Sequence, residues 1–481
     1  MSGVQVPPPL FQPLNMEILL PPFRDRLLQL IPDIQGAIIY AAFSGGKDSV
    51  ALLTLLSALE SELKFTLKAA YLNHGIREDA SRESLWVFNF CSERTIPLVT
   101  ESADVKELAG REGINLEAAA SRRRYAFFQR LVNLSPTSWL ATAHTLSDQV
   151  ETFFMRLMRG SGAAGLAGIL PLRGRRILRP LAVFSEADIR AFLQRRHLSH
   201  YEDPSNQDLT LLRNRLRHEI LPIIRRQFPQ MDQRIHDATR IFKDESDCFV
   251  MQARHLLNHI TILGQVIPPG ALDSIHPALQ RHVLREYLRR LRGDLLEISL
   301  AHVEALMPPN PSTRHLSLPG ITLTRQKDFL FPRDFSAPTY SHVLPTDGDC
   351  MIPEICARVR VCLCRAEAGD KLNPSDSPAF TVEMNPKKLR FPLRVRSVRG
   401  TDRYRKQGSD FSQRVFEMVR AAGLPAALRP LRPLLCDASD QPIWIPGHAA
   451  AAHVKPGPNT PRLKIQMDGI WPQAPFQSPD V

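Results

Sequence analysis

Apolar runs of strand length alternate with helical patterns between residues 28 and 198. The runs that predict strands cover residues 37–43, 67–72, 97–100 and 139–143. Apolar residues at helical spacing follow them over residues 50–56, 81–94, 116–131 and 146–159. Strands separated by helices indicate an α/β fold with a doubly wound parallel sheet. Such a fold places its functional site at the carboxyl ends of the strands.

The remainder of the chain follows other patterns. Residues 223–307 are helical and basic, and residues 308–345 hold many prolines with some strand-like runs. Short strands return at residues 359–363, 393–398 and 443–445, with a helix at 412–421. We therefore predict a catalytic α/β domain, a helical middle domain with a proline-rich connection and a small α+β C-terminal domain, at residues 20–222, 223–345 and 357–465. Residues 1–20 and 466–481 are expected to be a flexible leader and a disordered tail.

A glycine turn follows the first predicted strand. Its residues are Ser44, Gly45, Gly46, Lys47, Asp48 and Ser49. The start of a helix favours a phosphate, because its N–H groups lack intrahelical partners and the helix dipole is positive there. The glycines allow a close approach of the backbone, and the Asp48 carboxylate could hold Mg²⁺. The turn predicts a phosphate site distinct from the P-loop, although a serine-capped glycine turn without a ligand would look the same.

Two further polar clusters follow predicted strands. His74 and Arg77 come after the second strand, and His144 and Asp148 come after the fourth. Since the carboxyl ends of parallel strands meet at one sheet edge, both clusters should lie beside the glycine turn. The four-residue spacing predicts that His144 and Asp148 share one face of a helix start. Taken alone, each cluster would more often be structural than catalytic.

Basic residues are frequent throughout the chain. The net charge is +12 and the isoelectric point about 9.6, with arginine clusters at residues 122–124, 213–217 and 281–292. Arginine suits phosphate recognition, so a nucleic-acid substrate is one explanation. A biased genome composition is the other. The charge alone does not separate the two.

The cysteines and the apolar segments bear on the compartment. The seven cysteines include no C-x-x-C pair, which argues against a disulfide framework or a zinc knuckle and favours a reducing cytoplasm. No apolar run reaches the length of a membrane helix, and no secretory signal is visible. We expect a cytoplasmic protein without a membrane partner.

Several motifs together resemble one family. The S-G-G-x-D-S turn resembles the pyrophosphate loop of the ATP-pyrophosphatase (PP-loop) superfamily. That turn, the N-H-G-I-R run at 73–77, the T-A-H segment at 142–144 and the D-Q-V-E-T segment at 148–152 together resemble the tRNA(Ile)-lysidine synthase family. The R-G-S-G run at 159–162, the E-D-P-S-N run at 202–206 and the R-N-R-L-R run at 213–217 follow in the same order. Residues 399–404 resemble the start of that family's C-terminal domain, with an inserted threonine.

The resemblance implies a reaction and its participants. ATP would adenylate O2 of the wobble cytidine of tRNA(Ile) with the anticodon CAU, and the ε-amine of L-lysine would then displace AMP. ATP is thus the co-substrate and Mg²⁺ the expected metal, held tentatively by Asp48. A homodimer stays an open hypothesis.

The resemblance also assigns roles to residues. Catalysis falls to Asp48, His144, Asp148 and Arg213, and nucleotide binding to the turn 44–49 with His74. Contacts with tRNA fall to Arg77, Arg124, Tyr125, Arg159 and Arg217. Ser121, Thr145 and Ser147 depart from the residues usual in the family. We therefore expect alanine at Thr145 or Ser147 to have little effect on activity.

Two alternatives differ in their chemistry. A tRNA 2-thiolation enzyme of the same superfamily would also adenylate a base, but such enzymes typically rely on cysteine pairs or an iron–sulfur cluster. The only cysteine before residue 248 is Cys91, in a predicted helix. A nucleotide-regulated RNA-binding protein without catalysis is the other alternative, against which the presence of Asp48, His144 and Asp148 argues.

Overall fold

The structure is a computed structural model. It describes residues 16–73, 80–174, 176–202, 207–307, 314–355, 357–364, 380–405, 411–421, 424–457 and 460–469. The chain divides into two compact units, Met1–Ser246 and Asp247–Val481. The predicted domain boundaries at residues 222 and 345 remain predictions. No helix in the described residues is long and apolar enough to cross a membrane.

The first unit is built on a six-stranded sheet with the strand order β3-β2-β1-β4-β6-β5. Its strands are β1 Ile38–Ala42, β2 Thr66–Asn73, β3 Leu98–Ser102, β4 Ser138–Ala141, β5 Leu172–Arg173 and β6 Ile177–Leu178. All neighbours pair in parallel except β5 and β6, which pair antiparallel. This confirms the predicted α/β fold.

Helices connect and flank these strands. They are α1 Met16–Leu30, α2 Lys47–Leu63, α3 Ala80–Glu93, α4 Val105–Glu112, α5 Leu116–Asn133, α6 Leu146–Met158, α7 Ala163–Leu166, α8 Glu186–Arg195, α9 Leu212–Arg215 and α10 Leu221–Gln227. A π-helical turn, Leu216–Ile220, joins α9 to α10. The apolar residues of helix α2 are buried and pack against β1 and β2 in the main core of the unit. The carboxyl ends of β1 and β4 therefore stand next to each other on a rigid base.

The expected flexible leader is partly wrong. Helix α1 begins at Met16, although Pro21 and Pro22 lie inside it. Leu19 and Phe23 are fully buried in the same core as β1. Burial of this apolar face outweighs the loss of helical hydrogen bonds at the prolines. Residues 1–15 lie outside the described part of the chain.

Helix α11, Met231–Ile260, runs on from α10. Met231 and Ile235 pack with Val150 and Leu221 in a small apolar cluster. Gln149 Nε2 donates to Thr239 Oγ1 at 2.9 Å, and Gln149 Oε1 accepts from the Ile169 N–H at 2.6 Å. Gln149 therefore serves the packing of α6.

The second unit begins at Asp247, within α11, and continues with the helices α12 Pro277–Arg292 and α13 Leu300–Glu304. An antiparallel sheet follows, with the strands β7 Arg314–Leu318, β8 Ile321–Gln326 and β9 Phe329–Pro332. Strands β7 to β9 thus lie in the region 308–345, where strand-like runs were predicted, and the role of this region as a connection remains a prediction. Residues 308–313 lie outside the described residues.

Two four-stranded sheets form the rest of this unit, in the orders β10-β14-β17-β18 and β11-β12-β19-β13, with a two-stranded pair β15-β16. The strands are β10 Ser341–Val343, β11 Gly348–Ile352, β12 Ala357–Cys364, β13 Phe380–Met384, β14 Arg394–Ser397, β15 Arg403–Tyr404, β16 Gln413–Arg414, β17 Pro433–Cys436, β18 Pro442–Trp444 and β19 Arg462–Gly469. One helix, α14 Val415–Ala421, lies among them. The small α+β region at the C-terminus is confirmed.

The expected tail is wrong at its start. Gln466 pairs with both Arg360 and Thr381, so β19 continues to Gly469 in the middle of its sheet. Alternation of apolar and polar residues from Leu463 to Met467 could have revealed this strand. Residues 470–481 lie outside the described part.

The segment 399–404 has a structural role in this unit. Asp402 is buried and pairs with the Arg396 guanidinium at 2.8 Å, while its second oxygen accepts from the Arg399 N–H at 2.6 Å. A buried carboxylate needs such partners. Asp402 therefore fixes the turn between β14 and β15.

Candidate active site

The glycine turn joins β1 to α2, as predicted. Gly46 is the N-cap of α2, and Ser49 Oγ donates to the Gly46 carbonyl oxygen at 2.8 Å. The Ser44 N–H donates to Ser49 Oγ at 3.3 Å, which ties the two ends of the turn together. Glycine has no side chain to cap the helix, so the first N–H groups of α2 are left without an intrahelical acceptor. An anion could accept hydrogen bonds from them.

Gly45 is required by both its conformation and its surroundings. Its φ is +76°, a region that side chains disfavour. A Cβ at this position would lie 3.1 Å from Trp86 Cε3 and 3.4 Å from Tyr201 Cβ. The Tyr201 N–H donates to the Gly45 carbonyl oxygen at 2.9 Å. The turn is therefore held between α3 and the segment that follows α8.

Lys47 forms an ion pair with Glu186, the first residue of α8. Arg190 also donates to Glu186, at 2.6 Å. Burial would raise the pKa of Glu186, but hydrogen bonds from Lys47 and Arg190 lower this pKa to about 2. The Lys47 ammonium is thus bound to an ionised carboxylate.

Asp48 lies in the first turn of α2. Burial, and then the repulsion of the Asp148 carboxylate, raise the pKa of Asp48 to about 6. Its Oδ1 is buried and has no hydrogen-bond partner among the described residues. An orphaned buried carboxylate oxygen is costly unless a cation or a donor satisfies it.

His144 precedes α6 instead of lying on it. Because α6 begins at Leu146 with Thr145 as its N-cap, the prediction that His144 and Asp148 share a helix face is wrong. His144 Nδ1 lies 2.9 Å from Thr142 Oγ1. Burial lowers the pKa of His144 to about 4; Asp148 opposes this shift, and nearby arginines add to it. The ring is therefore neutral at neutral pH.

Asp148 closes the first turn of α6. The Thr145 N–H donates to Asp148 Oδ2 at 2.8 Å, and Thr145 Oγ1 donates to the same oxygen at 3.1 Å. Burial would raise the pKa of Asp148, but Arg213, His144 and the Thr145 N–H outweigh burial and hold this pKa below its usual value. Asp148 is thus a carboxylate at neutral pH.

Two arginines bind both Asp148 and Glu151, and Glu151 lies one turn after Asp148 in α6. Arg213 donates to Asp148 Oδ1 and to Glu151 Oε2, both at 2.6 Å. Arg217 donates to Glu151 at 2.6 and 3.0 Å, and its nitrogen lies 3.4 Å from Asp148 Oδ1. Glu151 is only 1% exposed. The predicted residues Asp148, Arg213 and Arg217 are therefore brought into one network.

Three residues of the site were not predicted as functional. Glu151 lies three residues after Asp148, a helical spacing that could have revealed it. Glu186 is distant in sequence, and Arg179 follows a two-residue strand, so no pattern pointed to either. Arg179 is 4% exposed and donates to the Leu170 carbonyl oxygen. Its positive charge lowers the pKa of His144, although less than burial does.

The remaining predicted residues lie at different distances from this network. Tyr125, on α5, has the Arg173 guanidinium 4.3 Å from the centroid of its ring. Arg124 is exposed on the same helix, and Arg159 is exposed at the end of α6. The predicted residues His74 and Arg77 lie outside the described residues.

Comparison with known proteins decides the family. A PP-loop domain model matches residues 19–224, and a model described as the TilS substrate C-terminal domain matches residues 393–467. A tRNA(Ile)-lysidine synthase of Geobacillus kaustophilus is 30% identical over 428 residues, which cover 86% of this chain and 91% of that protein. The chain belongs to the tRNA(Ile)-lysidine synthase family. A further family member, from Geobacter sulfurreducens, is 32% identical over 86% of this chain and 89% of its own length.

Family membership places the chain among ATP-dependent ligases of the PP-loop superfamily and disfavours both alternatives. Thiolation also fits the structure poorly, because burial raises the pKa of the Cys91 thiol to about 11. Thiolates, not thiols, are the reactive species in sulfur chemistry. Cys91 packs within the core of the first unit.

Proposed function

We propose that this protein adenylates O2 of the wobble cytidine of tRNA(Ile) with the anticodon CAU and then joins that cytidine to L-lysine. The observation that carries the proposal is the juxtaposition of two features at adjacent strand ends. The glycine turn with Asp48 follows β1. Asp148 and Glu151, which bind Arg213 and Arg217, lie on α6 after β4. The PP-loop and C-terminal domains and the named relatives support this assignment.

The glycine turn binds the pyrophosphate of ATP in this proposal. The N–H groups at the start of α2 donate to phosphate oxygens. Lys47 exchanges Glu186 for a phosphate when the nucleotide enters. Arg213, on α9, offsets the negative charge that develops as the phosphorus is attacked.

Mg²⁺ fits the buried Asp48 carboxylate. Its Oδ1 lacks a hydrogen-bond partner among the described residues, and a cation there would stabilise the ionised form. The described part of the chain offers no group of three or more potential ligands. Magnesium often shares one or two carboxylates with substrate phosphates. When bound, it would supply neutralisation of the phosphate charge.

His144 and Asp148 act on the lysine in this proposal. The Asp148 carboxylate attracts the ε-ammonium group, and its negative charge is retained because arginines hold its pKa low. His144 is neutral and can accept a proton from the amine as the amine attacks the activated cytidine. Chemistry would thus be divided between the turn after β1 and the segment after β4.

Recognition of the tRNA would fall to exposed basic residues and to the C-terminal half. Arg124, Tyr125 and Arg159 remain our candidates in the first unit, and residues 357–465 in the second. Arg217 is a weaker candidate for tRNA than it was from sequence, because its guanidinium binds Glu151. The hypothesis of a homodimer is addressed by sedimentation of the free protein, where a single monomeric species would reject it.

The decisive experiment is mass spectrometry of nucleosides after incubation with tRNA(Ile), ATP and isotope-labelled lysine. The proposal expects a labelled lysidine, with one AMP and one pyrophosphate released for each. Asp48→Ala should abolish pyrophosphate release and leave tRNA binding nearly unchanged. The matched control is Asp33→Ala, an exposed aspartate before β1. RNA binding without any lysine-containing nucleoside would reject the ligase in favour of a binding protein.

A further inference from the structure

We propose that Thr142 is a positioning residue that sets the tautomer of His144, so that Nδ1 carries the hydrogen and Nε2 presents a lone pair. The role of that lone pair rests on the lysine-joining function proposed above. The tautomer itself is a property of the protein without substrates. The two claims can therefore fail separately.

The geometry at the end of β4 gives the Thr142 hydroxyl hydrogen an acceptor other than His144. The Thr142 N–H donates to the Leu178 carbonyl oxygen at 2.9 Å, and Thr142 Oγ1 lies 3.3 Å from the same oxygen. On its other side, Oγ1 lies 2.9 Å from His144 Nδ1. A carbonyl oxygen can only accept, and a hydroxyl has a single hydrogen. When that hydrogen points to Leu178, the oxygen offers its lone pair to Nδ1, which must then be the donor.

The arrangement is rigid and dry. Thr142 is 6% exposed, so water competes little for its hydroxyl. Leu178 belongs to β6, whose register against β4 is fixed by the pairing of Ala141 with Leu178. The acceptor therefore cannot move without disturbing the sheet.

Charges around the ring come from four elements. Asp148 on α6 favours the imidazolium, whereas Arg124 on α5, Arg213 on α9 and Arg179 after β6 disfavour it. With burial added, the ring stays neutral, and a neutral imidazole has one donor and one acceptor nitrogen. The position of the single hydrogen then decides what the ring can bind.

A lone pair at Nε2 suits an amine and not a phosphate oxygen. As the lysine nitrogen forms a bond to C2 of the cytidine, the bond from C2 to the AMP oxygen breaks and the electron pair leaves with AMP. The proton released by that nitrogen passes to Nε2. With the opposite tautomer, Nε2–H would point at the amine and oppose its approach.

The first test is NMR of the protein labelled with ¹⁵N-histidine, without substrates. Two-bond ¹H–¹⁵N correlations distinguish the two tautomers, and His144→Gln identifies the resonances of His144. We expect the Nδ1–H form in the unmodified protein and a shift towards the Nε2–H form in Thr142→Val. An Nε2–H form in the unmodified protein, or an unchanged tautomer in Thr142→Val, would overturn the proposal whether or not lysidine is formed.

The second test separates the two half-reactions. Thr142→Val should slow the lysine-dependent consumption of preformed adenylate at least about tenfold, while ATP–pyrophosphate exchange stays near its normal rate. Thr142→Ser keeps the hydroxyl and should restore the rate. The control is Thr54→Val, a threonine on α2 whose hydroxyl has no partner within the described chain. Equal losses in both half-reactions, without rescue by serine, would indicate a structural role only.

Discussion

Thr145 Oγ1 lies 3.1 Å from Asp148 Oδ2, and Thr145 is 3% exposed at the N-cap of α6. This contact gives Thr145 a role that its departure from the family pattern did not indicate. We now predict that Thr145→Ala loses on the order of 1 kcal/mol of stability and also slows lysidine formation, because Asp148 loses a donor. Thr145→Ser should retain both. Thermal melting and the rate of lysidine formation measure the two effects.

Ser147 provides the comparison within the same turn. It is buried at 6% exposure, but it lies on another side of α6 from Asp148. Ser147→Ala should stay near the unmodified protein in both measurements. Equal losses in the Thr145 and Ser147 variants would contradict a specific role for the Thr145 hydroxyl.

The network around Glu151 predicts a non-additive loss of stability. Either arginine alone still gives the buried Glu151 carboxylate a partner, so Arg213→Gln and Arg217→Gln should each cause a modest loss. The double variant leaves a buried charge uncompensated and should lose on the order of 3–5 kcal/mol. Urea unfolding of the four proteins at one pH completes the cycle. Additive losses would show that the two arginines do not share Glu151.

The buried carboxylate of Asp48 is expected to lower the stability of the protein although activity requires it. Its pKa is raised to about 6 in the folded protein from 3.8. Between these values the folded state binds more protons than the unfolded state, so this group lowers the free energy of unfolding as the pH rises from about 4 to 6. Asp48→Asn removes this penalty and should stabilise the free protein at pH 7 by on the order of 1–3 kcal/mol.

The same variant should be inactive in pyrophosphate release. Denaturant unfolding at pH 4 and pH 7 measures the effect, and the gain should shrink towards pH 4, where Asp48 is protonated in the folded state and partly protonated in the unfolded state. Asp33→Asn, at an exposed position, is the control and should show no such dependence. A gain of equal size at both pH values would contradict the burial of a charged Asp48.

In the proposed function, the ion pair between Lys47 and Glu186 competes with the nucleotide for the Lys47 ammonium. Both side chains are about one quarter exposed, so the pair contributes at most about 1 kcal/mol. Glu186→Gln should therefore lower the KM for ATP by up to about fivefold. Glu186→Gln in a Lys47→Ala background should give no such gain. Steady-state kinetics at saturating lysine test this, and an unchanged KM would mean that Lys47 does not contact the phosphates.

Binding of tRNA should weaken as salt rises, but less steeply than the arginine clusters suggest. Several of these arginines already bind carboxylates, namely Arg122, Arg213, Arg217, Arg281, Arg289 and Arg292. Each phosphate neutralised adds roughly 0.7–0.9 to the slope of log affinity against log salt. Arg159→Gln should reduce the slope by the contribution of one phosphate, roughly 0.7–0.9. Arg24→Gln, on α1, should leave the slope unchanged. A flat plot for the unmodified protein would reject an electrostatic RNA surface.

The sequence was sufficient for the elements that follow one periodicity. The apolar run before Ser44 and the helical pattern after it predicted β1, the glycine turn and α2, because short-range patterns determine these elements. Helix α1 was missed since its two prolines resemble an irregular leader. Its stability comes from burial of Leu19 and Phe23, which no local pattern reveals.

The sequence predicted several residues of the site but not the contacts between them. Asp148 and Arg213 were both candidates, but their 2.6 Å contact joins segments 65 residues apart. His144 lies ahead of α6 because Thr145 is the N-cap of that helix. Thr145 departs from the residue usual in the family, so the family pattern did not indicate this N-cap. Glu186 became relevant only through the packing of α8 beside α2, which depends on the complete fold.

The N-cap of α2 has a consequence for the rate at which the backbone exchanges hydrogen with solvent. Gly46 supplies no side-chain oxygen to the first amides of this helix, so those of Lys47 and Asp48 lack an intramolecular helical acceptor. They should exchange with deuterium quickly in the free protein and slowly once a phosphate occupies the turn. Amides deeper in α2 are paired within the helix and should hardly change. The deuterium content of a proteolytic fragment that covers this turn, measured after exchange of the whole protein, would therefore report nucleotide occupancy without any label on the substrate.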